Sequence, residues 1–110
     1  MKTISRAELK TKLDQHENFK LVFTLGDWHY RAKHIPGSIQ VDNPEKAKEL
    51  LDKEDDIVVY CSNVHCVASI MAFHLLEENG FKNTRRYAGG IQDWEEAGYP
   101  LEGELVDRKE

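Results

Sequence analysis

Apolar and polar positions along the chain switch between two periods, and the clearest stretch covers residues 57–80. Ile57–Tyr60 is a continuous β-branched and aromatic run, the composition of a strand buried on both faces. Residues 67–79 follow a helical spacing, which predicts an inner stripe of Val67, Ile70, Met71, Phe73 and Leu76, with Gly80 at the stop. The short loop between them puts Cys61 at the carboxyl end of a central strand, facing the amino end of the next helix. Proteins that alternate strands and helices place their chemistry there. Unpaired backbone N–H groups and the positive end of a helix dipole favour thiolate over thiol. Free cysteine is also among the most buried residue types and often fills a core as a small apolar group. Position alone leaves both roles open.

The remaining pattern supplies the other layers. Ser5, Arg6, Ala7 and Glu8 form a capping box opening a helix that ends near Gln15, with Ala7, Leu9 and Leu13 inward. Residues 20–25 predict a strand closed by Gly26 and Asp27, and residues 28–33 a brief helix. Pro36 and Gly37 fix a turn leading into a short strand around Ile39 and Val41. Pro44 suits the first position of a helix with Ala47, Leu50 and Leu51 on its inner stripe. Residues 83–88 read as a strand, Gly89 and Gly90 as a tight turn, and residues 91–97 as a helix stopped by Gly98. Tyr99, Pro100 and Leu101 are expected to pack back on the core. The pattern predicts one α/β domain over residues 1–101, a small, mostly parallel sheet with helices on both faces, followed by a polar tail over residues 102–110.

Composition narrows the function. The chain has 110 residues, enough for one core, with a net charge of −5 and no Lys/Arg cluster longer than two residues. That balance argues against a nucleic-acid partner. The opening MKTISRAELK has no apolar run, so neither an export signal nor a membrane span is expected, and the predicted location is cytoplasmic. In a reducing compartment Cys61 and Cys66 are expected as thiols rather than as a structural disulfide. With His65 and His74 the pair could suggest a metal, but its spacing is wide and no second Cys pair exists, so no metal and no organic cofactor are expected.

At this point HIPGSI, IVVYC, the helix ending NGF and YAGGIQDWEEAGYP, taken in that order, resemble the rhodanese-like domain family over about residues 3–101. The resemblance implies a three-layer α/β sandwich and a sulfurtransferase in which Cys61 carries a persulfide. The chain also departs from the family pattern. Phe23 and Leu25 stand where an Asp and an Arg are usual. Counting forward from Cys61 puts Val64 at the usual Gly and Cys66 at the usual Arg; counting back from Leu75, Leu76 and Gly80 puts Ala68 and Ser69 at the usual Arg and Ser. The two counts differ by two residues, so the active loop or first helical turn is longer than usual, and no Arg or Lys lies between Cys61 and Ser69. Related phosphatases need an Arg where this chain has Val67, so phosphoryl transfer lacks its guanidinium clamp.

These residues suggest a chemistry. Cys61 is the expected nucleophile. The backbone N–H groups of Ser62, Asn63, Val64, His65, Cys66 and Val67 are expected to cradle thiolate and persulfide in place of a cation. The expected donor is thiosulfate or a small persulfide; the acceptor is a thiol, cyanide or an acceptor protein. Cys66 either resolves a modified Cys61 by closing a disulfide, which needs Cα atoms within about 7 Å, or fills the helix base as an apolar group. His65 either assists the thiolate or is a solvated loop residue. His34 is expected to make a structural hydrogen bond, and Trp28, Tyr30 and Trp94 to pack in the core or at its rim. Two function classes follow: a sulfurtransferase, and a catalytically weak binding or thiol-redox sensing module that uses the Cys pair.

Overall fold

The computed structural model describes residues 1–106. Nine elements follow in order: α1 (Arg6–Asp14), β1 (Lys20–Phe23), α2 (Asp27–Ala32), β2 (Ile39–Gln40), α3 (Pro44–Leu50), β3 (Ile57–Tyr60), α4 (Ala68–Glu78), β4 (Thr84–Tyr87) and α5 (Gly90–Glu96). Local hydrogen bonds start the helices as their sequences predict. Ser5 Oγ accepts the Glu8 N–H at 3.1 Å and Glu8 Oε1 accepts the Ser5 N–H at 3.3 Å, a closed capping box. Asn43 Oδ1 accepts the Lys46 N–H at 2.9 Å ahead of Pro44 at the first helical position.

The four strands form one parallel sheet in the order β2-β1-β3-β4. Val22 pairs with Val59 across β1 and β3, and Val59 with Arg86 across β3 and β4. Strand alternation divides the core into two layers. Leu21, Phe23, Val58, Tyr60 and Tyr87 face α1 and α5 through Leu9, Ile91 and Trp94. Val22, Ile57 and Val59 face α3 and α4 through Ala47, Phe73 and Leu76. Helices therefore cover both faces, and all four residues of β3 are fully buried. Burying side chains of this size contributes about 1.5–3 kcal/mol each. β3 is thus the rigid base from which Cys61 leaves the sheet.

Several side chains lie elsewhere than the periodicity suggests. Val67 and Met71 are exposed, and the buried line of α4 is Ser69, Phe73 and Leu76. The helix is turned so that Ser69 faces the sheet, where it accepts a hydrogen bond from Arg86. Leu50 is exposed because the chain turns extended at Leu51, so of the expected stripe only Ala47 and Leu51 go inward. Trp28 is 65% exposed, so it packs in neither core nor rim. The short α2 reaches the sheet through Tyr30, whose ring lies 6.1 Å from Phe23. Trp94 is buried as expected, and its Nε1 donates to the Pro100 carbonyl at 2.9 Å, which seats the segment carrying Tyr99 and Leu101.

The polar tail is tied down at its start. His34 and Glu102 exchange both backbone hydrogen bonds, at 2.8 and 2.9 Å, and the N–H groups of Glu104 and Leu105 reach the carbonyls of Arg31 and Ala32. The rest of the expected tail, residues 107–110, lies outside the described residues.

Candidate active site

Cys61 stands one residue beyond β3, and six residues separate it from α4, the long loop that the two counts suggest. Backbone groups from neighbouring elements fix this exit. Thr24, just after β1, donates its N–H and its Oγ1 to the Tyr60 carbonyl, both at 3.1 Å. From α5, Ile91 N–H donates to the Cys61 carbonyl at 3.0 Å and Gln92 N–H to the Ser62 carbonyl at 2.8 Å. This contact explains the second glycine of the Gly89-Gly90 pair. Gly90 has φ +64°, and a Cβ there would overlap the Cys61 carbonyl oxygen. A trans peptide points its N–H opposite its carbonyl. With both carbonyls held by α5, the N–H groups of Ser62 and Asn63 point away from it, on the side of the loop.

Within the loop Asn63 makes its own turn. Its Oδ1 accepts the His65 N–H at 2.9 Å and its carbonyl the Cys66 N–H at 3.1 Å. Of the six N–H groups expected to cradle the sulfur, those of His65 and Cys66 are therefore engaged inside the loop. Val67 caps α4 without a side-chain hydrogen bond, so the amides of the first helical turn keep their donors for another acceptor.

The curled loop brings the two cysteines together. The structure joins Cys61 to Cys66 as a disulfide with Cα atoms 6.2 Å apart, where the sequence predicts two separate thiols. The physical reason is proximity: the turn at Asn63 folds residue 66 back over residue 61. Cys61 is 1% exposed in this state, and Ser62 Oγ lies 4.0 Å from its sulfur. Val64 and Val67 form an exposed apolar rim on the same loop. His65 is exposed, and no side-chain hydrogen bond orients its ring among the described residues. Also among the described residues, no group of three or more His, Cys, Asp or Glu side chains gathers to hold a metal ion, and no helix is long and apolar enough to cross a membrane.

The HIPG turn supports the site from one residue upstream. The Tyr60 hydroxyl accepts the Ile35 N–H at 2.9 Å and pairs with Ser38 Oγ at 2.8 Å, while Ser38 Oγ donates to the Ile35 carbonyl at 2.7 Å. Burial pushes the Tyr60 phenol well above its ordinary pKa, which keeps it neutral as an anchor. His34 makes the structural contact expected of it: Nδ1 lies 2.7 Å from the Tyr30 carbonyl and its ring stacks on Tyr30 at 4.0 Å.

One functional group escapes a reading of the sequence. Arg86 of β4 is buried against α4, where its Nε donates to Ser69 Oγ at 2.8 Å. Its second terminal nitrogen is buried with no hydrogen-bond partner among the described residues. The signal is present in consecutive arginines on a strand covered on both faces: alternation sends one of them to each layer.

Comparison with known proteins places this geometry. The family model described as "Rhodanese-like domain" matches residues 5–97. The chain is 34% identical over 101 residues to "HTH-type transcriptional regulator Rv0324" of Mycobacterium tuberculosis, covering 90% of this chain and 44% of the regulator. It therefore spans less than half the length of that relative. It is 34% identical over 98 residues to "Putative sulfurtransferase YtwF" of Bacillus subtilis, covering 86% of this chain and 91% of that protein. Among solved structures, the rhodanese-like domain of the Anabaena sp. Alr3790 protein superposes with a TM-score of 0.86 at 26% identity, covering 99% of this chain and 84% of that one.

Proposed function

Because this chain belongs to the rhodanese-like domain family, we propose that it is a sulfurtransferase in which Cys61 carries sulfane sulfur as a persulfide. The observation carrying this reading is the position of Cys61 at the end of β3, with its own carbonyl and that of Ser62 drawn into α5. On this reading the reduced sulfur takes its support from the outward amides of the loop and from the first turn of α4, which no side chain caps. Such donors favour an anionic sulfur. Similarity to a protein named a putative sulfurtransferase supports the same activity.

The cycle begins by reducing the Cys61–Cys66 bond with an external thiol, which frees the Cys61 and Cys66 thiols. The Cys61 thiolate then attacks the outer sulfur of thiosulfate. The donor's S–S bond breaks, sulfite leaves with the bonding pair, and Cys61 holds the persulfide. A thiol or cyanide, or a thiol on an acceptor protein, attacks that outer sulfur and returns Cys61 to the thiolate. Cys66 offers a second exit. Its thiolate attacks the inner sulfur of the persulfide, re-forms the disulfide and expels hydrosulfide. The chain itself supplies the nucleophile, the donors around it and the resolving thiol, without a metal or organic cofactor, and the chemistry suits the cytoplasm. His65 would assist from the exposed side of the loop, and Ser62, Asn63, Val64 and Val67 frame the anion.

Thiocyanate formation from thiosulfate and cyanide tests the reading. Wild type should turn over after reduction, Cys66→Ser should retain the cyanide route, and Cys61→Ser should lose it. Equal rates for wild type and Cys61→Ser would refute it. The bonded Cys pair specifically favours a second reading, a thiol-redox sensor. In that case peroxide closes the disulfide while thiosulfate adds no sulfur to either cysteine.

A further inference from the structure

β4 carries two consecutive arginines, and alternation sends them to opposite faces of the sheet. Arg85 faces the α1 side, where it pairs with Asp56 at 3.2 Å. Arg86 faces the α4 side, is 7% exposed, and takes part in none of the ion pairs among the described residues. Both its backbone groups are held by the N-terminal segment, the N–H donating to the Lys2 carbonyl at 2.9 Å and the carbonyl accepting from the Ile4 N–H at 3.1 Å. Ser69, the second residue of α4 and itself 1% exposed, holds Nε and leaves a terminal nitrogen without a partner. A guanidinium keeps its charge in proteins, and a buried charge without a counterion is strongly unfavourable. A fold that retains one points to an anion that occupies the place in another state.

The sheet register identifies where that anion sits. Arg86 is the lateral partner of Val59 on the layer facing α4, and Cys61 lies two residues beyond Val59, so alternation puts it on that same layer. Diagonal neighbours on one face of a sheet lie within reach of a long side chain such as that of arginine. Ser69 lies three residues past Cys66, so its grip holds the guanidinium at the base of the Cys61–Cys66 loop. The other charged groups near this end are directed elsewhere: His65 is exposed, and Asp93 of α5 is taken by Arg6 and Tyr87. In the disulfide Cys61 carries no charge, which is the state that leaves Arg86 unmatched.

We propose that Arg86, delivered from β4 and steered by Ser69, is the cation that holds the anionic forms of Cys61, thiolate and persulfide. It replaces, from a neighbouring strand, the positive side chain that residues 62–68 lack. The inference rests on Cys61 being the reacting residue, and Arg86 acts on it as a positioning and charge-balancing group.

The test uses reduced protein in a Cys66→Ser background, where no disulfide can form, and reads the Cys61 pKa from iodoacetamide alkylation rates against pH. Arg86→Gln should raise that pKa by about one unit, which is about a tenfold loss of thiolate at pH values below it. Arg86→Lys should recover most of the loss. Superimposed profiles for the parent and Arg86→Gln, or a Lys variant that behaves like Gln, would overturn the proposal. Should Arg86→Gln fail to fold, Ser69→Ala decides instead: a higher Cys61 pKa supports the proposal and an unchanged one overturns it. A change confined to KM for thiosulfate also overturns it. Because alkylation needs no sulfur donor, the result is independent of turnover. Normal thiocyanate formation with an unmoved pKa removes Arg86 alone, whereas absent sulfur transfer with a moved pKa removes only the sulfurtransferase reading.

Discussion

Replacing Gly90 with alanine tests whether α5 clamps the active loop. Two effects add at this position. A non-glycine residue in the left-handed region at φ +64° carries a strain of about 1 kcal/mol or somewhat more. The new Cβ would also overlap the Cys61 carbonyl oxygen and meet the Ser62 carbonyl carbon at 2.9 Å, contacts that no side-chain rotation relieves. The loop must then move, which breaks the hydrogen bonds from Ile91 and Gln92 to the Cys61 and Ser62 carbonyls. Each is worth about 1 kcal/mol. The expected loss is about 3–4 kcal/mol, a large fraction of the 5–15 kcal/mol typical of a domain, and a fall in Tm on the order of 10–25 °C. Gly98→Ala is the control, because Gly98 has φ +79° and a Cβ added there would meet nothing within 4 Å, so only the backbone strain applies. Urea unfolding of both variants, with the thiocyanate assay on each, separates the two effects. Gly90→Ala should be the less stable by about 2 kcal/mol and should lose sulfur transfer, while Gly98→Ala keeps it. Equal stability and equal activity would refute the clamp.

Tyr60→Phe should lose about 1–3 kcal/mol in urea unfolding, because the Ile35 N–H and Ser38 Oγ are left buried without their partner; a neutral substitution would contradict the anchoring of the HIPG turn. Burial raises the Asp56 carboxyl, but hydrogen bonds from Lys12 and Arg85 outweigh it and hold the group below its ordinary pKa. A depressed carboxylate stabilises the fold above the unfolded pKa near 3.9, and that contribution disappears as pH falls through the folded value. Asp56→Asn should therefore cost at most about 1 kcal/mol near pH 7 for so accessible a pair, with the difference from wild type vanishing in strong acid; a difference that grows on acidification would contradict that sign. Cys66→Ser should keep persulfide formation on Cys61 but stop the release of hydrosulfide in the absence of an acceptor, read by a sulfide probe; undiminished release would remove the resolving role. In the oxidised protein the same change should lower stability by about 2 kcal/mol, the value for so short a closed loop.

The readable parts of this chain are those written in local chemistry. The capping box at Ser5, Pro44 behind Asn43, and the unbroken apolar run of β3 each specify their structure through neighbours a few residues away. The motif pieces around HIPG, Cys61 and Gly89-Gly90 carry the family with them. What the sequence hides is long-range. Helical spacing finds Phe73 and Leu76 but extends their stripe to Val67 and Met71 instead of Ser69, because the polar Ser69 is drawn to the sheet side by a partner, Arg86, 17 residues away. Looking for cations inside the loop likewise misses the one supplied from β4. The meeting of Cys61 and Cys66 depends on a turn closed by Asn63, whose side chain bonds a backbone N–H that composition does not reveal. Trp28 departs from expectation for a different reason: on a helix of six residues, one ring suffices to reach the sheet, and Tyr30 is that ring.

The most direct measurement is the intact mass of the reduced protein after incubation with thiosulfate, with proteolytic mapping of any added mass. A persulfide-carrying Cys61 predicts one added sulfur atom, located on that residue, removed by cyanide and absent from Cys61→Ser. A wild-type protein that takes up no sulfur, or a Cys61→Ser variant that takes up as much as wild type, would contradict it.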